Sequence, residues 1–147
     1  MNPGEMIQEA HFIAHGHINV MATHPTTIEV TAEDHLTLKG DCIVAVSAEK
    51  GLNDLPDSMR RAAKNNDTVI RLILEAEEKT VIVTGRGDPT LTWEHPTDMV
   101  ARTSGYVSGR TLMVHADKAA RDLPIDFLSR LKNPKTIVRL AVQVETL

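Results

Sequence analysis

Length, composition and charge restrict the class of this protein. The chain has 147 residues, of which 41% are hydrophobic and 24% charged, values that are ordinary for one globular domain with its own core. Its formal net charge is -4, its Lys and Arg residues are scattered, and aromatic residues make up only 3%, so we expect no nucleic-acid binding.

The N-terminal segment carries no pattern of a secretory signal. Residues 1–10 lack a basic stretch followed by an apolar run, and no window approaches the ~20 apolar residues needed to span a bilayer. Cys42 is the only cysteine, which excludes an intramolecular disulfide and favours a reducing compartment. We therefore expect a cytoplasmic protein that makes no use of a membrane.

Residues 10–22 alternate between two faces with the period of a β-strand. One parity is apolar and would pack on the core. The other parity includes His11, His15, His17 and Asn19, so an unbroken strand would present three histidines on one side. Gly16 is a position at which the strand could bulge and lose this register.

Residues 26–31 predict a second strand, with Thr27 and Glu29 on its outward face. A short strand is expected at residues 36–39, and the continuous apolar run 42–46 is typical of a central strand. A short amphipathic helix follows, capped by Asn53 or Asp54 and ended by the polar residues 65–67.

The second half of the chain predicts more strands and one further helical segment. The Val- and Ile-rich residues 68–76 and 79–84 flank a Glu-Glu turn and indicate a hairpin. Further strands are expected at residues 90–93, 99–103, 111–116 and 136–145, with a helical segment between 117 and 133. No repeat of fixed period is apparent.

These elements sum to about eight short strands and two or three helices. We therefore predict one α+β domain over residues 1–147, strand-dominated, with a mainly antiparallel sheet or a barrel-like arrangement.

The histidines are the first candidates for chemistry. Two imidazoles in His-X-His on a strand point to the same side, and neutral imidazole is a common ligand of zinc and other divalent metals. His15, His17 and His24 could hold such a metal, with Glu29 or Asp41 as base of a metal-dependent hydrolase. Histidines on a polar strand face equally need no function.

Cys42 is a second candidate, as a thiolate nucleophile activated by a histidine that Asp41 orients. The structural interpretation is stronger, because a cysteine at the head of an apolar run is usually a small core residue.

Arg110 and Lys118 form a third polar group and could clamp a phosphate or carboxylate, with the Thr111 hydroxyl nearby. Asp117 would repel such an anion, and it caps the following helix equally well.

Several blocks together resemble a known family. They are residues 15–20, 23–31, 36–37, 40–43, 110–112, 116–120 and 122–123. In order and spacing the chain is similar, over nearly its whole length, to the archaeal domain of unknown function family 371. The resemblance implies an archaeal source and a single-domain protein. It also marks the polar positions that recur in those blocks, which are His15, His17, Asn19, His24, Thr26, Thr27, Asp41, Arg110, Asp117 and Lys118.

We favour a small-molecule or anion-binding pocket, and two alternatives stay open. The predicted ligand-binding residues are His15, His17, Asn19, Thr26, Thr27, Arg110, Asp117 and Lys118. One alternative is a metal-dependent hydrolase with a divalent cofactor on His15, His17 and His24. The other is a protein-interaction module without pocket chemistry. A homo-oligomer is compatible with each.

Overall fold

A computed structural model describes residues 6–146 of the chain, which form eight β-strands and two α-helices. The strands are β1 (Met6–His15), β2 (Thr27–Thr31), β3 (Ile43–Ala45), β4 (Val69–Ala76), β5 (Lys79–Arg86), β6 (Asp98–Arg102), β7 (Thr111–Met113) and β8 (Ile137–Thr146). The helices are α1 (Asp57–Ala63) and α2 (Ile125–Leu131), each preceded by a short 3-10 turn, Leu52–Asp54 and Ala120–Asp122. No helix in this part of the chain is long and apolar enough to cross a membrane.

The strands form two four-stranded sheets. Sheet 1 has the order β1-β8-β4-β5 and is antiparallel throughout. Sheet 2 has the order β3-β2-β6-β7, with an antiparallel centre and parallel outer pairs. Bridges between His15 and Val46 and between Arg86 and Val114 join the two sheets at both edges. The strands therefore close into a barrel, which leaves few open edges.

The barrel interior is mostly aliphatic, as the low aromatic content predicts. Ile28 and Val30 of β2 are fully buried, as are Ile70, Leu72 and Leu74 of β4. Strand side chains alternate between faces, so these positions fill the barrel while their neighbours face outward. The indole of the fully buried Trp93 donates a hydrogen bond to the Leu112 carbonyl at 3.0 Å, which satisfies its polar atom.

The two halves of the chain repeat the same structure. Residues 54–56 read Asp-Leu-Pro before α1, and residues 122–124 read Asp-Leu-Pro before α2. The hydrogen bonds match as well. Asn53 donates its backbone N–H to the His95 carbonyl and Arg121 donates its own to the His24 carbonyl, both at 3.1 Å. Ala22 and Trp93 share a φ of 51°, and Ser47 and His115 share one of 53°.

One half runs from β1 to β4 and the other from β5 to β8, related by an approximate two-fold axis that we call the pseudo-dyad. Glu29 and Val100 are equivalent positions and pair with each other across β2 and β6. Ile73 and Ala141 are likewise equivalent and pair across β4 and β8. The pseudo-dyad therefore passes through the centres of both sheets.

The sequence prediction concerned repeats of fixed period only, and this structural repeat has none. The connection between β2 and β3, residues 32–42, is longer than the equivalent connection between β6 and β7, residues 103–110. The repeat therefore has no constant period along the sequence, although the two copies fold alike.

The α+β class, the barrel-like arrangement and the strand content are confirmed. The hairpin of β4 and β5 and the last strand lie where they were predicted. The first strand, however, ends at His15 and not at residue 22, because Gly16 and His17 donate their backbone N–H groups to the carbonyls of Thr136 and Leu131. Residues 36–39 and 90–93 are not strands, and the run 42–46 contributes only the short outer strand β3.

Gly16 and Gly87 mark the equivalent chain reversals after β1 and β5. A Cβ atom would lie 2.3 Å from the Asn133 carbonyl oxygen at Gly16 and 2.2 Å from the Ala63 carbonyl oxygen at Gly87. We expect Gly16→Ala and Gly87→Ala each to destabilise the fold by about 1–3 kcal/mol, because backbone must move in both cases. Urea unfolding measures this loss.

Gly109 is the matched control, since a Cβ there meets nothing within 4 Å. Equal stability of the Gly16→Ala and Gly109→Ala proteins would contradict the packing described for the reversal.

Candidate functional site

The outer face of sheet 2 is buried, although it lies outside the barrel. All five residues of β2 are buried, including the outward-facing Thr27, Glu29 and Thr31. Parallel neighbours such as β2 and β3 need a crossover connection, and here that connection must pass over the outer face because the inner face packs on the core. Residues 32–42 and 103–110 therefore shield this face from solvent.

Five ionisable side chains meet on this shielded face around the pseudo-dyad. We call them the dyad cluster, and they are Glu29, Cys42, Asp98, Arg102 and Arg110.

Arg110 links the two carboxylates of the dyad cluster. Its Nη2 lies 3.3 Å from Oε1 of Glu29, and its Nη1 donates to Oδ2 of Asp98 at 3.1 Å. The Thr31 hydroxyl donates to the other Asp98 oxygen at 2.8 Å. Both carboxylates are buried, whereas the Arg110 side chain is 45% exposed. Buried carboxylates need such partners, because an unpaired buried charge costs several kcal/mol.

Glu29 is a buried carboxyl whose pKa is raised by its surroundings. Burial raises the pKa of Glu29 from its ordinary value, and the neighbouring Asp98 raises it further, although Arg110 acts in the opposite direction. Glu29 therefore takes up a proton at a higher pH than a glutamate in solvent.

Cys42 lies against Glu29, with its Sγ donating to Oε1 at 3.8 Å. Burial and the adjacent Glu29 carboxylate raise the pKa of the Cys42 thiol to about 11. A thiol at this site is neutral near pH 7, and its neighbour is a carboxylate instead of the activating histidine that a nucleophilic cysteine requires. The structural interpretation of Cys42 is therefore favoured.

Arg102 is the second cation of the dyad cluster, and its side chain donates hydrogen bonds to hydroxyl groups. Its Nε donates to Oγ1 of Thr111 at 2.7 Å, and its Nη2 donates to Oγ of Ser108 at 2.9 Å. Its guanidinium carbon lies 5.0 Å from the centre of the Tyr106 ring. No carboxylate within residues 6–146 forms a salt bridge with it. Burial and the neighbouring Arg110 lower the pKa of Arg102.

The charges occupy positions at which the two halves differ. Across the pseudo-dyad Glu29 corresponds to Val100, Cys42 to Arg110, Thr31 to Arg102 and Thr27 to Asp98. The same backbone thus forms in one half with an apolar or neutral residue at each position where the other half carries a charge. The fold alone does not require these charges.

His24 has a structural role that the second half duplicates. Its Nδ1 accepts the backbone N–H groups of Thr26 at 3.2 Å and Thr27 at 3.1 Å. Nδ1 of His95 accepts the equivalent N–H groups of Thr97 and Asp98 at 3.3 and 3.0 Å. Each imidazole orders the entry to a central strand of sheet 2. The structure therefore brings His24, Thr26 and Thr27 to the same sheet as Arg110.

His15, His17 and Asn19 lie at and beyond the end of β1. The His17 Nδ1 accepts the Asn19 backbone N–H at 3.0 Å, and the Asn19 amide donates to the Leu36 carbonyl at 2.8 Å. Asn19 thereby tethers the connection that covers sheet 2. Within residues 6–146 no three His, Cys, Asp or Glu side chains are grouped so as to hold a metal ion. The site on His15, His17 and His24 stays a prediction.

Asp117 and Lys118 lie beside β5 at the edge of sheet 1. Asp117 accepts the Thr84 backbone N–H at 2.9 Å, and Lys118 donates to the Ile82 carbonyl at 2.8 Å. The equivalent Glu49 accepts the Ile13 N–H at 2.8 Å, so this contact supports barrel closure in both halves. These contacts to β5 set both side chains apart from the Arg110 contacts on sheet 2.

Sequence reasoning missed Asp98 and Arg102. The signal that could have found them is the His-Pro-Thr triplet, which occurs at residues 24–26 and again at residues 95–97. Aligning the two triplets places Asp98 at the position of Thr27, on the outward parity that had been predicted for the second strand.

Replacement of Glu29 by Gln tests its environment. Because the pKa of Glu29 is raised on folding, ionisation costs the folded state more than the unfolded chain, and this cost appears as the pH rises above the ordinary value of 4.5. We expect Glu29→Gln to raise the Tm near pH 7, and we expect this gain to shrink as the pH falls from the raised pKa toward 4.5 and to be lost below it. Thermal unfolding from pH 3 to 8 measures it.

Glu94→Gln provides the control, because it makes the same substitution at an exposed glutamate outside the dyad cluster. A Glu29→Gln protein whose Tm falls relative to the parent as the pH rises would contradict the assignment.

The comparisons with known proteins agree with the extent of the fold. Residues 12–145 match the profile of a family described as a domain of unknown function, DUF371. The chain is also 39% identical over 126 residues to an uncharacterised protein of the archaeon Methanocaldococcus jannaschii. That alignment covers 85% of this chain and 92% of the relative.

Proposed function

Because the chain belongs to the domain of unknown function family 371, whose name specifies no activity, we propose its function from its own geometry: it binds a small anionic molecule at the dyad cluster. The ligand carries a carboxylate or phosphate group, which contacts Arg102 first and Arg110 second. The observation that carries this proposal is the half-buried Arg102 guanidinium, which has hydroxyl partners and no carboxylate partner within residues 6–146.

A guanidinium in this position favours an anion. Charge removed from water is stabilised by an opposite charge, and planar guanidinium matches the two oxygens of a carboxylate or phosphate. The Ser108 and Thr111 hydroxyls hold Arg102 in place through its Nη2 and Nε atoms. Its Nη1 accordingly remains available to a ligand, and Tyr106 supports the face of the group.

Arg110 contributes when Glu29 is neutral. In the absence of ligand its charge is shared by two carboxylates, which would repel an incoming anion. Protonation of Glu29 removes one of these negative charges and frees part of the Arg110 guanidinium. The raised pKa of Glu29 makes this step accessible, so anion binding should strengthen as the pH falls.

Thermal unfolding with inorganic phosphate and with citrate, each compared with sodium chloride at equal ionic strength, tests the proposal. A ligand that binds only the folded state raises the Tm in a saturable way. We expect a saturable shift for the parent protein and none for Arg102→Gln, because the substitution removes the charge that the anion contacts. The probe that gives the larger shift in Tm shows whether the site prefers a phosphate or a carboxylate group.

Arg71→Gln is the matched control, since Arg71 lies on sheet 1 and pairs with Glu145 at 2.8 Å. This variant should keep the full shift. A parent protein without a saturable shift would overturn the proposal, and so would an Arg102→Gln protein that responds as Arg71→Gln does.

We also propose that the protein acts in the cytoplasm. The support is Cys42, the lone cysteine, which is a partly buried free thiol. A free thiol suits a reducing compartment.

A further inference from the structure

The outer face of sheet 1 differs from that of sheet 2 in being open to solvent. Large aliphatic side chains are exposed on it, with Ile7 at 49%, Ile82 at 43% and Ile137 at 47%. All four strands of sheet 1 contribute outward residues to this face, which we call the open face. Of these aliphatic side chains, Ile82 adjoins Ile73 across the ladder of β4 and β5, and a contiguous exposed aliphatic group marks a surface that another molecule covers.

Strand register defines the layout of the open face. Its central row runs His11, Ala141, Ile73 and Ile82 across the four strands, so its middle is apolar and lies on the pseudo-dyad. Charged rows of mixed sign flank the central row. The row on one side includes Arg139 and Glu75, and the row on the other includes Glu9 and Arg71.

From this layout we propose that the open face is the contact between two copies of this chain. Two sheets pack face to face with their strands nearly aligned. A two-fold axis parallel to the strands, midway between β4 and β8, then sets Ile73 of one copy against Ala141 of the other. The same operation sets Arg139 against Glu75, so each copy offers the opposite charge to its partner.

The charges on the face favour a second copy over a partner of one sign. Arg139 and Glu75 are only loosely paired within the chain, at 3.8 Å, and both are substantially exposed, so they remain available across an interface. On the same surface Glu145 pairs with Arg71 at 2.8 Å, and Glu9 accepts a hydrogen bond from Gln143 at 2.6 Å. A strongly acidic or basic partner would meet repulsion from half of these groups.

The area of the open face determines how tightly the two copies are expected to bind. Four strands spaced about 4.8 Å apart, with about eight residues at 3.4 Å each, cover roughly 500 Å² in projection. Stable specific interfaces bury about 800 Å² per partner. The dimer is therefore expected to be weak and to depend on concentration.

Sedimentation velocity over a concentration series, from low micromolar to submillimolar, tests this proposal on the full chain. We expect the parent protein to shift from monomer toward dimer. Ile73→Lys and Ile73→Glu should each remain monomeric, because the two substituted positions approach each other beside the axis and carry like charges. An equimolar mixture of the two variants should regain the dimer, since the charges are then opposite.

Ile125→Glu is the control, because Ile125 is 86% exposed on α2 and lies outside the open face, and it should dimerise as the parent does. Thermal unfolding of both Ile73 variants confirms that they are folded, and Ile82→Lys provides a second variant at an exposed position, where the new charge would be buried against β1 of the other copy. A parent protein that stays monomeric at the highest concentration overturns the proposal. Dimerisation of the separate Ile73 and Ile82 variants at the parent concentration also overturns it.

Discussion

Sheet 1 exists only because the two halves of the chain exchange strands. Its order, β1-β8-β4-β5, alternates between the halves, so every ladder in it joins one half to the other. The backbone groups of β1, for example, find all their antiparallel partners in β8. A half on its own would leave these strands without partners, and unpaired backbone groups are costly when buried. The closed barrel, the position of both helices and the pseudo-dyad all follow from this exchange.

The exchange also determines where chemistry can appear. In sheet 2 the halves meet only along β2 and β6, so the pseudo-dyad there passes between two short strands. Around that line the duplicated backbone is kept while the side chains have diverged. Glu29 faces Val100, and the bridge from Arg110 to Asp98 corresponds in the other half to the uncharged pair Cys42 and Thr27. Duplication thus supplies a rigid frame, and loss of symmetry at a few positions supplies a polar site that the frame does not need.

Local patterns predicted much of the fold. The hairpin of β4 and β5 follows from alternation on both sides of the Glu77-Glu78 turn, and both turn residues adopt positive φ angles of 48° and 71°. The end of β1 was not predictable in the same way. It depends on the close approach of Gly16 to the Asn133 carbonyl, a contact between residues far apart in sequence. The repeat has no fixed period in the sequence because the connections over sheet 2 differ in length.

The candidate site, like the fold, was only partly predictable from local sequence patterns. Glu29, Thr27 and Arg110 attract attention through residue type and strand parity, and the structure does bring them to one sheet. Asp98 and Arg102 are indicated by the sequence only when the two His-Pro-Thr triplets are aligned, and their importance depends on the pairing of β6 with β2. Lys118 looked equally suited to bind an anion, yet it lies with Asp117 beside β5 on sheet 1. Residue type indicates what a side chain can bind, whereas the topology decides which side chains lie close together.

The central claim is that the dyad cluster binds an anion through Arg102. Nuclear magnetic resonance of the arginine Nε–H groups, recorded during titration with inorganic phosphate at constant ionic strength, tests it most directly. Saturable shifts of the Arg102 and Arg110 signals, with those of Arg71 and Arg139 on sheet 1 unmoved, are the predicted result. Shifts that are absent, that grow equally at all arginines, or that are confined to sheet 1 would contradict it.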